Sequence, residues 1–182
     1  MLAVDTCALV VIDIQEKLAQ LMYRKESLFE SAQKLIKGIR VLEIPIVVTE
    51  QYPKGLGPTV PELARSLSGP PLVKDSFSCA REPAVRAAIE AVGRRQAVVA
   101  GIEAHVCVLQ TALDLAAAGF QVHVPHDAVC SRRPVDKKWA LERMAAAGVA
   151  VSTTESALFE LLERCGTDEF KAVSRMIREI PV

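Results

Sequence analysis

The sequence is poor in features that announce a partner. Its 22 lysines and arginines are matched by 22 aspartates and glutamates, so the formal charge is zero. Without a basic field, neither nucleic acid nor an anionic membrane surface is an expected partner. Long apolar runs are missing as well. Stretches such as Cys7 to Ile12 and Ala97 to Ile102 fall far short of the ~20 residues that cross a bilayer. The first residues, Met1 to Asp5, carry no basic segment and no long apolar stretch, so no secretory leader is expected. The five cysteines (Cys7, Cys79, Cys107, Cys130 and Cys165) form no C-x-x-C pair, which argues against a zinc site or a dithiol redox pair. A reduced cytoplasmic protein is expected, its thiols mostly packed as small apolar side chains. The first apolar run is followed by Asp13-Ile-Gln-Glu-Lys17 with no glycine, so a dinucleotide-binding turn is not there.

What is present is a regular alternation. Of the 182 residues 51% are hydrophobic, enough for one domain over residues 1–182 to bury about 70% of its unfolded surface. Short β-branched runs alternate with segments of helical period, the pattern of a parallel α/β sheet. Strands are predicted at Cys7 to Asp13, Ile44 to Thr49, Pro71 to Lys74, Gln96 to Gly101, Phe120 to Val124 and Val149 to Val151. Helices are predicted at Ser27 to Leu42, Glu82 to Val92, Ala104 to Ala118 and Asp136 to Ala147, with two more between Thr154 and Ile180 broken near Gly166. Gln51 to Thr59 is too rich in glycine and proline for a helix and reads as a loop. The fold class is therefore α/β: a doubly wound, mostly parallel, six-stranded sheet with helices on both faces. Such sheets bind ligands beyond the carboxyl ends of their strands, at the switch point.

Three groups fall at those ends. Asp13 closes the first strand and Lys74 the third; either alone is ordinarily a solvated charge. Cys107 lies six residues past Gly101, in the first turn of the next predicted helix, where the macrodipole favours a thiolate. Together they supply a nucleophile, a base for its proton and a cation beside both. The three histidines, His105, His123 and His126, are not needed in that scheme.

Val11-Ile-Asp13-Ile-Gln15, Lys74-Asp-Ser-Phe77-Ser-Cys79 and Gly101-Ile-Glu103-Ala-His-Val-Cys107-Val108 resemble, in order, three motifs of the isochorismatase-like cysteine hydrolases. Thr49 to Thr59 resembles the loop of the branch called isochorismatase domain-containing proteins. The resemblance implies an Asp-Lys-Cys triad of Asp13, Lys74 and Cys107. It also implies a non-proline cis peptide at Ile102–Glu103, which would turn the Glu103 N–H to join that of Cys107 in an oxyanion hole. The activity implied is hydrolysis of a small amide, ester or carbamoyl substrate through a thioester, with a C–N bond the expected target. No cofactor is implied, and the expected assembly is a homo-oligomer acting on a small molecule.

Some residues depart from relatives. Metal-dependent nicotinamidases carry an aspartate and histidines just after the second strand, whereas this chain reads Thr49-Glu50-Gln51-Tyr52-Pro53, so no metal is expected. Glu50 reads as an ordinary loop carboxylate. Isochorismatases that cleave a vinyl ether can lack the cysteine, and Cys107 favours acyl chemistry instead. Gln15, Tyr52, Phe77 and His105 are candidate pocket residues, Gln15 more as a brace than a reactant. The main rival is a catalytically quiet binding or scaffold protein of the same fold. Labelling of Cys107 by a thiol reagent, blocked by Asp13→Asn, is the expected mark of an enzyme.

Overall fold

The computed structural model describes residues 1–179; the final residue of the predicted tail helix, Ile180, lies outside them. Cys7–Ile12 is β1, six residues buried without exception. It reads as an unbroken apolar run because it has two cores to fill: Leu9 and Val11 enter one, Val10 and Ile12 the other. A single turn, α1 (Glu16–Ala19), and the long α2 (Lys25–Val41) follow. Next come β2 (Ile46–Gln51), the one-turn helices α3 (Pro53–Leu56) and α4 (Pro61–Ala64), and β3 (Leu72–Lys74). The second half runs α5 (Pro83–Ala91), β4 (Gln96–Ile102), α6 (Leu109–Ala117), β5 (Gln121–Pro125), β6 (Val129–Cys130), α7 (Pro134–Ala146), β7 (Ala150–Ser152), α8 (Thr154–Leu162) and α9 (Asp168–Glu179).

The sheet order is β3-β2-β1-β4-β5-β7, with β6 paired to β4, and every pairing is parallel. The chain winds outward from β1 through β2 to β3, returns to β4 beside β1, and winds the other way. The switch point therefore lies between the carboxyl ends of β1 and β4. Helices α2, α8 and α9 pack on one face of the sheet and α5, α6 and α7 on the other.

The α/β doubly wound architecture matches the expectation, with seven strands rather than six among the described residues. The additional strand is β6, two residues that pair with Gly101 and Ile102. Two residues are too few to show a period, so only tertiary pairing defines it. The loop from Gln51 to Thr59 does contain a helical turn, α3, because Pro53 takes the first helical position, where its missing N–H costs nothing. The first strand ends at Ile12, one residue before Asp13. The predicted helix from Ala104 begins instead as a π-helical turn, Ala104–Val108, before α6 takes over.

Candidate active site

Parallel pairing sets four strand ends level. Ile12 lies opposite both Thr49 and Gly101, and Gln51 lies opposite Lys74. The approach of β1 to β4 is close enough to demand glycine. A Cβ on Gly101 would fall 2.0 Å from the Ile12 carbonyl oxygen, and its φ of +129° suits no other residue.

Asp13 leaves β1 with φ +53°, a left-handed conformation that its short polar side chain tolerates. Its carboxyl is wholly buried. Oδ1 accepts the Thr49 hydroxyl at 2.7 Å, and Oδ2 lies 2.7 Å from Lys74 Nζ, both side chains at 0% exposure. Apart from that ion pair, Oδ2 has no hydrogen-bond partner among the described residues. The Lys74 ammonium also donates to Gln51 Oε1 at 2.6 Å, to Ser76 O at 3.1 Å and to Phe77 O at 3.3 Å. Burial is the largest single influence and works against its charge, but the charge and hydrogen bond of Asp13, together with Cys107 and Cys79, hold the ammonium above the ordinary lysine range. An unpartnered charge here would be very costly; the pair and its four oxygen neighbours make it tolerable.

Cys107 is 5% exposed, and the charges of both Asp13 and Lys74 act on its thiol. Burial raises its thiol first and the charge of Asp13 next, while Lys74 pulls the other way. The thiol is pushed up to about 12. The sequence led us to expect a macrodipole-favoured thiolate; the resting group is instead a protonated thiol. The reason is local: Cys107 sits in a widened π turn and is desolvated beside a carboxylate. π turns are frequent at functional sites. Here the Glu103 carbonyl accepts the N–H of Val106 at 3.0 Å and of Val108 at 3.2 Å, passing over that of Cys107. The Ile102–Glu103 peptide is cis.

The remaining sequence candidates lie around these three. Gln15 is buried with its amide spent on the loop: Nε2 donates to Gln51 O and Gly57 O, and Oε1 accepts the Gln51 N–H. His105 lies two residues before the thiol, its Nδ1 3.0 Å from Ser131 Oγ. Tyr52 and Phe77 are exposed, at 56% and 55%. Glu50 is not an ordinary loop carboxylate. It is buried, and its Oε1 accepts both the N–H and the hydroxyl of Thr59, pinning the loop. Among the described residues, no group of three or more His, Cys, Asp or Glu side chains is gathered to hold a metal ion.

Sequence reasoning passed over Thr49 and Gln51, which hold Asp13 and Lys74 from the strand between them. The signal was there: two polar residues at period 2 ending a buried strand. It missed Arg132 too. The N–H and Nε of Arg132 both donate to Glu103 Oε2, at 3.1 and 3.0 Å, tying the segment after β6 to the turn that carries Cys107. Cys79, expected as packing, lies beneath the ion pair with Sγ 3.9 Å from Thr49 Oγ1 and its N–H on Thr111 Oγ1.

Comparison with known proteins agrees with the fold. The isochorismatase domain is matched over residues 7–156. Isochorismatase domain-containing protein 1 of Salmo salar is 42% identical over 168 residues, 91% of this chain; the chain spans only 59% of that relative's length. The solved structure of MAR1 ribonuclease from Caenorhabditis elegans is 38% identical with a TM-score of 0.92, covering 100% of this chain and 94% of that one. YcaC from Pseudomonas aeruginosa, solved with hexane-2,5-diol and covalent acrylamide, is 25% identical with a TM-score of 0.88, covering 98% and 96%. With a family match running through most of the sheet and over both ends of the switch point, this chain belongs to the isochorismatase domain family.

Proposed function

We propose that the protein is a cysteine hydrolase acting on a small amide, ester or carbamoyl substrate, a C–N bond first among them, with Cys107 as nucleophile. One observation carries the reading: a wholly buried Asp13–Lys74 ion pair stands beside a buried thiol, with one carboxylate oxygen free of other partners. The family is one of hydrolases, and the covalent acrylamide named for the Pseudomonas aeruginosa neighbour supports a reactive site that accepts small amide-bearing electrophiles.

In this reading Asp13 Oδ2 takes the thiol proton as sulfur bonds to the carbonyl carbon. Because the resting thiol is neutral, that transfer accompanies attack rather than preceding it. The carbonyl oxygen becomes negative and is met by the N–H groups of Glu103 and Cys107. Collapse breaks the bond to the leaving group, which departs with the proton held on Asp13. Water then gives a proton to Asp13 and attacks the thioester carbon; the acid leaves and the thiol is restored. Lys74 holds the Asp13 side chain in place throughout. Tyr52, Phe77 and His105 border the entrance, and a homo-oligomer remains part of the proposal, checked by light scattering.

The test is a panel of small amides, esters and carbamoyl compounds against wild type and Cys107→Ala, with intact-mass detection of the adduct. Turnover is expected to fall about 10³-fold or more without the nucleophile; full turnover in Cys107→Ala refutes the reading. The ribonuclease named for the Caenorhabditis elegans neighbour makes RNA a required member of the panel. Matched numbers of basic and acidic residues argue against RNA as substrate.

A further inference from the structure

A second cavity, of about 540 Å³, opens between the start of α2, β6 and the starts of α7 and α8. Its size is that of a small-ligand pocket, usually about 300–1,000 Å³. None of Asp13, Lys74 and Cys107 lines it. Its walls are apolar where Leu28, Val129, Leu158 and Ile177 meet. Three cations, Arg24, Lys34 and Lys137, converge on it from α2, its cap and α7. Among the described residues none of the three has a carboxylate within ion-pair distance. Lys137 is half-buried, and burial holds its ammonium below the usual lysine range against the opposing charges of Cys130 and Asp127.

The facing acids are accounted for. Asp127 Oδ1 accepts the Thr154 N–H at 2.8 Å, fixing the start of α8, and Glu155 is exposed at the rim. Three cations against two carboxylates leave one positive charge in excess, with Tyr23, His126 and Cys130 as the remaining titratable groups. A second observation points the same way. Thr154 lines the cavity at 2% exposure, and its hydroxyl has no hydrogen-bond partner among the described residues. Buried hydroxyls without partners are rare.

We propose that this cavity binds a singly charged organic carboxylate with an apolar body, at a site separate from Cys107. The carboxylate lies between Lys34 and Lys137, near the start of α8, and the body lies along Leu28, Leu158 and Ile177. A dianionic phosphate fits less well, because Asp127 and Glu155 oppose the second charge. A neutral ligand leaves the excess cation without a counter-charge.

The probe is octanoate, titrated by calorimetry into the intact protein beside octanol, octylammonium and octyl phosphate. Octanoate is expected to bind at one site, and Lys34→Met and Lys137→Met are each expected to weaken it about tenfold, the loss of one charge-assisted hydrogen bond. Octanol binds more weakly and does not respond to either variant. Cys107→Ala leaves octanoate affinity unchanged. The proposal is overturned by any of three results: no saturable binding at about millimolar octanoate, binding lost in Cys107→Ala, or octylammonium or octyl phosphate binding as well as octanoate. Should Lys137→Met fail to fold, an unchanged affinity in Lys34→Met is itself sufficient to overturn it.

Discussion

Replacing Asp13 by asparagine separates the charge of the site from its chemistry. In the resting protein the Cys107 thiol stands at about 12, raised by burial and by Asp13. Asparagine fills nearly the same space and removes the negative charge, while Lys74 keeps its contacts with Gln51, Ser76 and Phe77. A neighbouring charge typically moves a pKa by about 1–3 units, so the thiol should fall by that amount. Each unit gives about tenfold more thiolate at fixed pH below the pKa. Part of that gain is lost, because a less basic thiolate is a weaker nucleophile, with a Brønsted slope of about 0.4–0.5. The net acceleration of alkylation by iodoacetamide is therefore about 3- to 60-fold over one to three units.

Under the proposed mechanism turnover should move the other way, since that mechanism has Asp13 accept and return the proton. Lys74→Met supplies the opposite control. It removes the charge that lowers the thiol, so alkylation slows, and it leaves Asp13 buried without its counter-ion, at a cost of about 3–5 kcal/mol in a urea melt. The assay is the pseudo-first-order loss of Cys107 from pH 7 to 10, read by peptide mass so that the exposed Cys165 does not interfere. Protection of Cys107 by Asp13→Asn, the outcome that sequence alone led us to expect, would refute the account. It would mean that the carboxylate promotes ionisation at rest instead of suppressing it.

The remaining predictions concern the frame of the site. Glu103→Gln weakens the grip on Arg132 and should lower kcat by up to about tenfold with little change in KM, because misplacing the nucleophile turn costs rate before binding; equal losses in Glu103→Gln, Arg132→Ala and the double variant would confirm that the two act as one unit. Gly101→Ala should cost about 4 kcal/mol or more, or abolish folding, since its Cβ would meet the Ile12 carbonyl; a urea midpoint near wild type would contradict the close approach of β1 and β4. Cys107 titrates near 9 when unfolded and at about 12 when folded, so its contribution is complete below pH 9 and is lost as pH climbs toward 12. Three units amount to about 4 kcal/mol, and Cys107→Ala should unfold less steeply across that window in pH-dependent urea melts.

The legible part of the fold was the part with local causes. β1 was visible because residues facing two cores leave no polar position between Cys7 and Ile12, and the carboxylate after it marks where the sheet ends. What escaped was set by pairing between distant segments. Val129 and Cys130 become a strand only because β4 has a free edge beyond β5. Arg132 meets Glu103 across 29 residues of sequence. Nothing in Ala-His-Val-Cys-Val distinguishes a π turn from an α-helix, since both want the same residues. Asp13, Lys74 and Cys107 were named together from strand ends and motif resemblance. Their electrostatics were not legible, because burial and the Thr49 and Gln51 contacts depend on strand register.

That electrostatic result bears on which rival function the site suits. A redox sensor needs an accessible thiolate, whereas Cys107 is buried and protonated; Cys165 is the exposed thiol and would meet an oxidant first. A scaffold protein has no use for a lysine and an aspartate at 0% exposure, since apolar side chains of similar size commonly pack there at no cost or with a gain in stability. Lys74→Met with Asp13→Leu should therefore fold at least as well as wild type while losing all turnover. A double variant that instead failed to fold would give the pair a structural purpose and remove the chief physical support for catalysis.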